Sequence, residues 1–349
     1  MTGYLERGNF PAVIAVGGYT PDTIFTNADL AEFHPSIGLT PGQIEEKTGI
    51  QERPIAPADM EPSEMGTIAV KRALANANIT KNPRTGLYEV VNDLLVSTIT
   101  RDKNMETPGP AAEVHRRVGL PSSCSAEDLG AACAGMVYAL RGASNQTQVN
   151  DVTTVAVGLG KMSPITNYDK RNTGVIFADG ASALVVENRP DVIRPQFAFH
   201  TESDIEAVYA PAGGTIEMNG RLVTELAKRI LPPLALRVAK EANCIDEHTG
   251  LIDWNTVTYV VPHPGSGPLI LDVAAAAQIP KEKLVLSLHK HGNTSAASIG
   301  LALEDAVKEN KFDRNKPIVA LFLAIGAGMV AGAGIMEVKL EPAGASGSS

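Results

Sequence analysis

Three cysteines stand in 349 residues, Cys124, Cys133 and Cys244, an odd number with no CxxC spacing to suggest zinc or a redox pair. No block of like-signed charge occurs, and Lys plus Arg (30) fall short of Asp plus Glu (39), giving a formal charge of −9. Nucleic-acid binding needs a basic surface that displaces counterions from phosphates, so no nucleic acid is expected as a partner, nor an anionic membrane surface. The first residues, MTGYLERGNFPAVIAVGGY, lack the basic stretch and long apolar core of a signal peptide. One apolar run, IVALFLAIGAGMVAGAGIM, reaches membrane-like length, but its four glycines and strand-like end read as two buried strands joined by a turn. A reduced, cytoplasmic protein without a metal site is expected. In that setting a lone cysteine is more often a small buried hydrophobe than a nucleophile, so context decides.

At 36.7 kDa the chain exceeds a typical single domain, and two domains or two halves packed as one unit are expected. Runs rich in β-branched residues (AVIAVGG, DLLVSTIT, TTVAVGLG and SALVVE, then TVTYVV, KLVLSL, IVALFLA and AGIMEV) alternate with segments of helical period. That alternation predicts an α/β protein with a mainly parallel sheet. Helices are predicted in EMGTIAVKRALANA, AGMVYALRGAS, GRLVTELAKRILPPLALRVAKEA and SIGLALEDAVKEN; in the last, Ile299, Leu303, Ala306 and Val307 share one face. The proline-bearing segment around residues 188–200 lies between the two sets of strands. It divides the chain into an N-terminal half, 1–190, a C-terminal half, 191–340, and a small, polar, disordered tail, 341–349.

Four segments carry residues fit for chemistry. In EDLGAACAGMVYALRGAS an apolar stretch delivers Cys133 to a predicted helix N-terminus, where free backbone N–H groups and the helix dipole favour a thiolate. The small neighbours Ala131, Ala132, Ala134 and Gly135 leave room for an acyl group, or serve close helix packing. TYVVPHPGSG delivers His263 to the C-terminal edge of a strand, where ligands of open α/β sheets bind. A loop-capping histidine reads equally well there, and His289 and His291 carry the same ambiguity. In HGNTSAAS, Asn293 sits at a strand-to-helix corner, as a functional amide or as a turn or N-cap residue. Finally, AIGAGMVAGAG offers backbone N–H groups to an oxyanion, or is a turn between core strands.

The order of these segments, together with EEKTGIQER near the start and DKRNTGVIFADGASALVV between them, resembles the ketoacyl synthase III family over nearly the whole chain; HGNTSAAS is a particularly specific match. The resemblance implies a thiolase fold, five-layered αβαβα with two similar halves, and a homodimer. It implies that Cys133, His263 and Asn293 are the catalytic set and that the backbone N–H groups of Cys133 and Ala327 form the oxyanion hole. Cys133 would take an acyl group from a coenzyme A or acyl-carrier-protein thioester, with no further cofactor. Decarboxylation of a malonyl thioester would then supply the attacking carbanion, in fatty acid or specialised polyketide biosynthesis.

Several positions depart from the family pattern. The tryptophan that stacks on the coenzyme A adenine is matched by Gln43 and a nearby arginine by Lys47, while Arg171 retains another residue near the nucleotide. Carrier-docking basic residues are matched by Glu225, Pro268 and Ala275; Arg221, Lys228 and Arg229 lie close by, as a substitute patch or a solvated helix face. Ile325 replaces a phenylalanine thought to help arrange decarboxylation. Thr107, Pro108 and Gly109 stand where a partner subunit's bulky aromatic closes the acyl pocket of short-primer relatives, which predicts a longer or unusual acyl chain. These departures favour a specialised pathway. Two other enzyme readings stay open: acyl transfer to oxygen, nitrogen or sulfur, and condensation of two acyl thioesters without decarboxylation. An inactive partner subunit is disfavoured by the intact Cys, His and Asn.

Overall fold

From Phe10 to Gly18 every residue of the first strand, β1 (Arg7–Tyr19), is buried, as expected of a strand covered on both faces. The computed structural model describes residues 5–340 except 104, 106, 314 and 315, so the expected tail lies outside the described residues. After β1 come β2 (Ile24–Thr26), α1 (Asn27–Phe33), α2 (Pro41–Thr48), β3 (Glu52–Pro54), α3 (Pro62–Asn76), β4 (Val91–Ser97), α4 (Pro110–Val118), β5 (Ser125–Leu129), α5 (Gly135–Asn150), β6 (Thr153–Lys161) and β7 (Asp179–Ile193). The chain continues through β8 (Gln196–Thr201), β9 (Val208–Tyr209), β10 (Glu217–Met218), α6 (Gly220–Glu241), β11 (Tyr259–Pro262), α7 (Gly267–Ala276), α8 (Leu288–His291), α9 (Ser298–Lys308), β12 (Ile318–Gly326) and β13 (Val330–Val338).

The strand order is β5-β4-β6-β7-β1 followed by β13-β12-β11, with β8 also on β13. A single parallel pair, Val13 opposite Val338, joins the two groups. Each group repeats one pattern of directions. β4 runs parallel to β6, β6 antiparallel to β7 and β7 antiparallel to β1; likewise β11 runs parallel to β12, β12 antiparallel to β13 and β13 antiparallel to β8. The sheet is thus mixed rather than mainly parallel, because β6–β7 and β12–β13 are joined without a crossover helix, and such strands pair antiparallel. KLVLSL, predicted as a strand, makes only one parallel bridge, Val260 with Leu284. It is the reduced counterpart of β5, which pairs parallel with β4. The segment around residues 188–200 is strand on both sides of a two-residue link, carrying the chain from β7 to β8.

The three main apolar cores of the described residues bind the layers together, the middle one holding its helices between both groups of strands. α3 and α4 cover one face of the N-terminal strands, burying Val70 and Val114 with Val155 and Val185. α5 and α9 fill the middle, where Met136, Leu140 and Leu303 meet Phe322 and Met336. α6 and α7 cover the far side with Ile230, Leu234 and Val273 against Leu321 and Ile335. The period of two is visible in β12: Ile318, Ala320, Phe322 and Ala324 face the middle core, while Val319, Leu321, Leu323 and Ile325 face the outer one. In β1 a bulge between Val13 and Ala15 resets the alternation, so that Val13 and Val16 face the middle core and Ile14 and Ala15 the outer one. Among the described residues no helix is long and apolar enough to cross a membrane, and no cluster of His, Cys, Asp and Glu is arranged for a metal ion.

Candidate active site

The duplicated topology sends both middle-layer helices toward one place. β5 ends at Leu129, Ala132 takes a left-handed φ of 45°, and a single 3-10 turn, residues 132–134, delivers Cys133 at the start of α5. The other half repeats this design: Asn293 follows α8, Ser295 takes a left-handed φ of 54°, and a 3-10 turn, residues 295–297, runs into α9. Left-handed conformations at residues other than glycine are uncommon and cost free energy, and they gather at functional sites. The two turns touch, with Cys133 Sγ 3.5 Å from Ser295 Oγ. Two helix N-termini, each with unpaired backbone donors, therefore point into the same space.

His263 enters from the end of β11, fixed by its backbone N–H donating to the Leu323 carbonyl at 2.8 Å. It is 5% exposed, and its Nδ1 makes no hydrogen bond among the described residues. Burial lowers its pKa to about 4, with a hydrogen bond to the Ser295 backbone working the other way, so the ring is neutral at physiological pH. Asn293 is held on three sides. Its N–H donates to Ile176 O at 2.9 Å and its carbonyl accepts from Ala178 N at 3.0 Å. Its Oδ1 accepts from Ser295 N at 2.9 Å, which leaves the Nδ2 amino group as the donor available to the space in front.

Burial also pushes the Cys133 thiol up, against the opposing effects of the Ser295 hydroxyl and its own backbone. The thiol form, not the thiolate expected for a helix N-terminus, prevails at neutral pH because the surroundings are apolar. Cys133 is nevertheless half-buried rather than sealed. The turn after β12 packs directly on it: a Cβ at Gly326 would lie 2.8 Å from Cys133 N. Only glycine admits this approach, which sets the Ala327 segment beside the cysteine amide.

These residues surround one cavity of about 190 Å³, lined by Cys133, His263, Asn293, Ile325 and Ala327. Its other walls were not legible in the sequence: the β9–β10 hairpin supplies Val208, Tyr209 and Met218, α6 supplies Val223, Thr224 and Leu231, and α7 supplies Leu269, Ile270 and Val273. The remaining sequence candidates lie elsewhere. Gln43 is exposed and closes the N-terminus of α2 in a capping box with Thr40; Lys47 is exposed in the last turn of that helix, and Arg171 is exposed in the loop before β7. Thr107 and Pro108 are exposed and line no part of the cavity. Lys228 pairs with Asp272 at 3.0 Å and Arg229 with Glu202, so much of the basic character near Arg221 is neutralised. His291 is occupied by Asp305, 2.8 Å away.

Comparison with known proteins identifies the family. The family described as 3-oxoacyl-[acyl-carrier-protein (ACP)] synthase III matches residues 127–204, and its C-terminal part matches residues 249–338. The beta-ketoacyl-[acyl-carrier-protein] synthase III of Vesicomyosocius okutanii is 32% identical over 91% of this chain and 96% of its own length. That of Aquifex aeolicus is 32% identical over 93% and 98%. A crystal structure of the Aquifex aeolicus enzyme superposes with a TM-score of 0.82 at 30% identity, covering 94% of this chain and 99% of that one. A priming ketosynthase of a polyketide pathway, at 24% identity and a TM-score of 0.82 over 98% of this chain, shares the fold. The protein is thus a thiolase-fold condensing enzyme of the acyltransferase class. Within that class the chain belongs to the beta-ketoacyl-[acyl-carrier-protein] synthase III family.

Proposed function

We propose that the protein condenses an apolar acyl group, held on Cys133, with a malonyl thioester, losing carbon dioxide. The observation that carries this reading is the convergence of Cys133, His263 and Asn293 on one cavity at the N-termini of α5 and α9. In the first half-reaction Cys133 Sγ attacks the donor carbonyl, and the coenzyme A or carrier thiol leaves with the proton that Cys133 gives up. The tetrahedral oxyanion is held by the N–H groups of Cys133 and Ala327, a pair worth roughly 3 kcal/mol per donor in comparable sites. In the second, the bond to the malonyl carboxylate breaks and carbon dioxide departs. The electron pair becomes an enolate whose oxygen accepts hydrogen bonds from His263 and Asn293 Nδ2. The α-carbon then attacks the acyl carbonyl, and the Cys133 thiolate is expelled and takes up one proton from solvent, replacing the one lost with the first thiol.

Two features support decarboxylation over proton abstraction as the source of the carbanion. Among the described residues no aspartate or glutamate lines the cavity, and a histidine with a pKa of about 4 is a poor base. The test is intact-protein mass spectrometry after incubation with acyl-coenzyme A and acyl-carrier thioesters. An adduct on Cys133 that malonyl thioester discharges with release of carbon dioxide is expected; an adduct that malonyl thioester leaves untouched would displace this reading in favour of simple acyl transfer.

The substrate class follows from the walls. Leu231 and Ile270 are each 2% exposed and Val273 0%, yet all three line the cavity, which therefore reaches into the core between α6 and α7. Core space with apolar walls suits an alkyl chain better than water. Filling it with Val273→Phe is expected to lower the ratio of long-chain to acetyl loading about tenfold, the scale of a few methylenes lost from an apolar pocket. An unchanged ratio would place the chain elsewhere.

A homodimer is the assembly we infer. β5 ends the sheet, and its first four residues are exposed although the neighbouring strands are covered; an open edge of this kind is a template for pairing with a second chain. Gly109 lies against Asp128 of β5, so the Thr107–Pro108 segment sits beside that edge, where a partner would meet it. Sedimentation equilibrium should return twice the chain mass; a single-chain mass at micromolar concentration would remove the inference.

A further inference from the structure

Arg53, the last residue of the EEKTGIQER segment, has no part in the reaction described above, yet it is 0% exposed. No carboxylate of the described residues forms an ion pair with it. Burying an uncompensated cation is costly, and its pKa falls to about 10 as a result. Its hydrogen bonds all go to neutral groups. Nε donates to the Val175 carbonyl at 3.1 Å and Nη2 donates to the same oxygen. Nη1 donates to Asn27 Oδ1 at 2.8 Å, and Asn27 in turn donates to the Ile50 carbonyl at 2.7 Å.

The Val175 carbonyl opens the short segment that holds Asn293. Ile176 O accepts from Asn293 N, Phe177 forms a parallel bridge with Asn293, and Ala178 N donates to Asn293 O. The stem of the same arginine reaches the other side. Gly292, at φ 57° and ψ −160°, would place a Cβ 3.3 Å from Arg53 Cγ and 3.1 Å from Ile176 O. Arg53 thus grips Asn293 from both flanks, by its fork on residues 175–178 and by its stem on Gly292. A planar guanidinium can fork onto one carbonyl while reaching a second acceptor, which a lysine ammonium does less well.

We propose that Arg53 is the positioning residue for Asn293: its buried fork on Val175 O sets the place of the Asn293 Nδ2 donor, and so serves the decarboxylating half-reaction but not the loading of Cys133. The inference rests on the reading of Asn293 as an enolate donor. Among the described residues Arg53 makes no hydrogen bond or ion pair with Cys133 or with the turn at Gly326, so the two half-reactions separate its effect from a general loss of structure.

The experiment measures both steps on the intact protein: the rate of Cys133 acylation, by mass, and the rate at which malonyl thioester discharges the pre-formed acyl-enzyme. Arg53→Met keeps the stem and removes the fork. Arg53→Lys keeps charge and serves if the methionine variant fails to fold, and Asn293→Ala is the reference. The expected result is a discharge rate lowered about tenfold relative to acylation, since a donor displaced from a developing oxyanion loses effect on this scale, with KM for malonyl thioester less affected than kcat. Equal losses in both steps, or no loss in either, would overturn the role of Arg53 while Asn293→Ala remains slow. If Asn293→Ala itself discharges at full rate, the enolate reading of Asn293 falls, and the positioning role falls with it.

Discussion

Replacing Cys133 with alanine removes the acyl adduct entirely and lowers condensation by roughly 10⁴-fold or more, the scale seen when a covalent nucleophile is deleted and only binding and oxyanion contacts remain. The other two thiols cannot stand in. Cys124 and Cys244 are buried, and burial pushes both up to about 12, so neither supplies a thiolate near neutral pH. The burial that raises Cys133 is of a different kind, because its surface borders the cavity and two groups, Ser295 Oγ and its own backbone, lower the cost of the anion. Digestion of the acylated wild type should place the mass increment on the peptide that contains Cys133. An adduct that persists in Cys133→Ala, or that maps to Cys124 or Cys244, would refute the assignment.

Much of this site was legible because its residues sit in short segments of strong local character. Cys133 stands between an apolar strand-like run and a helical pattern, and His263 follows a run of β-branched residues. Asn293 lies in a segment whose type and spacing resemble one family. What stayed hidden depends on contacts between distant segments. That Cys133 and Asn293 occupy equivalent corners of two repeated units has no trace in residue identity; it shows only in the direction and order of the strands. The left-handed Ala132 and Ser295 have side chains that signal no such conformation. The cavity wall was equally hidden. Leu231, Ile270 and Val273 fall on helix faces whose apolar period is the same whether they meet a core or a space, and the β9–β10 hairpin carries too few residues to register as strands. Gln43 reads as a ligand position from the resemblance, and in the fold it also closes a helix with Thr40, a structural role that the Thr-Pro-Gly-Gln pattern announces.

The second large effect belongs to His263. His263→Ala is expected to slow the discharge of acyl-enzyme by malonyl thioester roughly 10²- to 10³-fold, as when one donor to a developing oxyanion is lost, while acylation of Cys133 falls much less. Its pH behaviour follows from the depressed pKa. The free side chain titrates near 6.5 and the folded one near 4, so between these values the unfolded chain holds a proton that the native state refuses. Stability therefore rises with pH across this window, and acidification from pH 6.5 to 4 withdraws roughly 3 kcal/mol. Urea unfolding at pH 7 and pH 4.5 should show the wild type losing more stability on acidification than His263→Ala, which carries no such group. In the discharge reaction the neutral imidazole acts as a donor throughout the physiological range, so its titration should appear as an acid limb below about pH 5. A limb centred near pH 6.5 that vanishes in His263→Ala would mean an imidazole in contact with solvent, and would contradict the buried donor on which this account of decarboxylation rests.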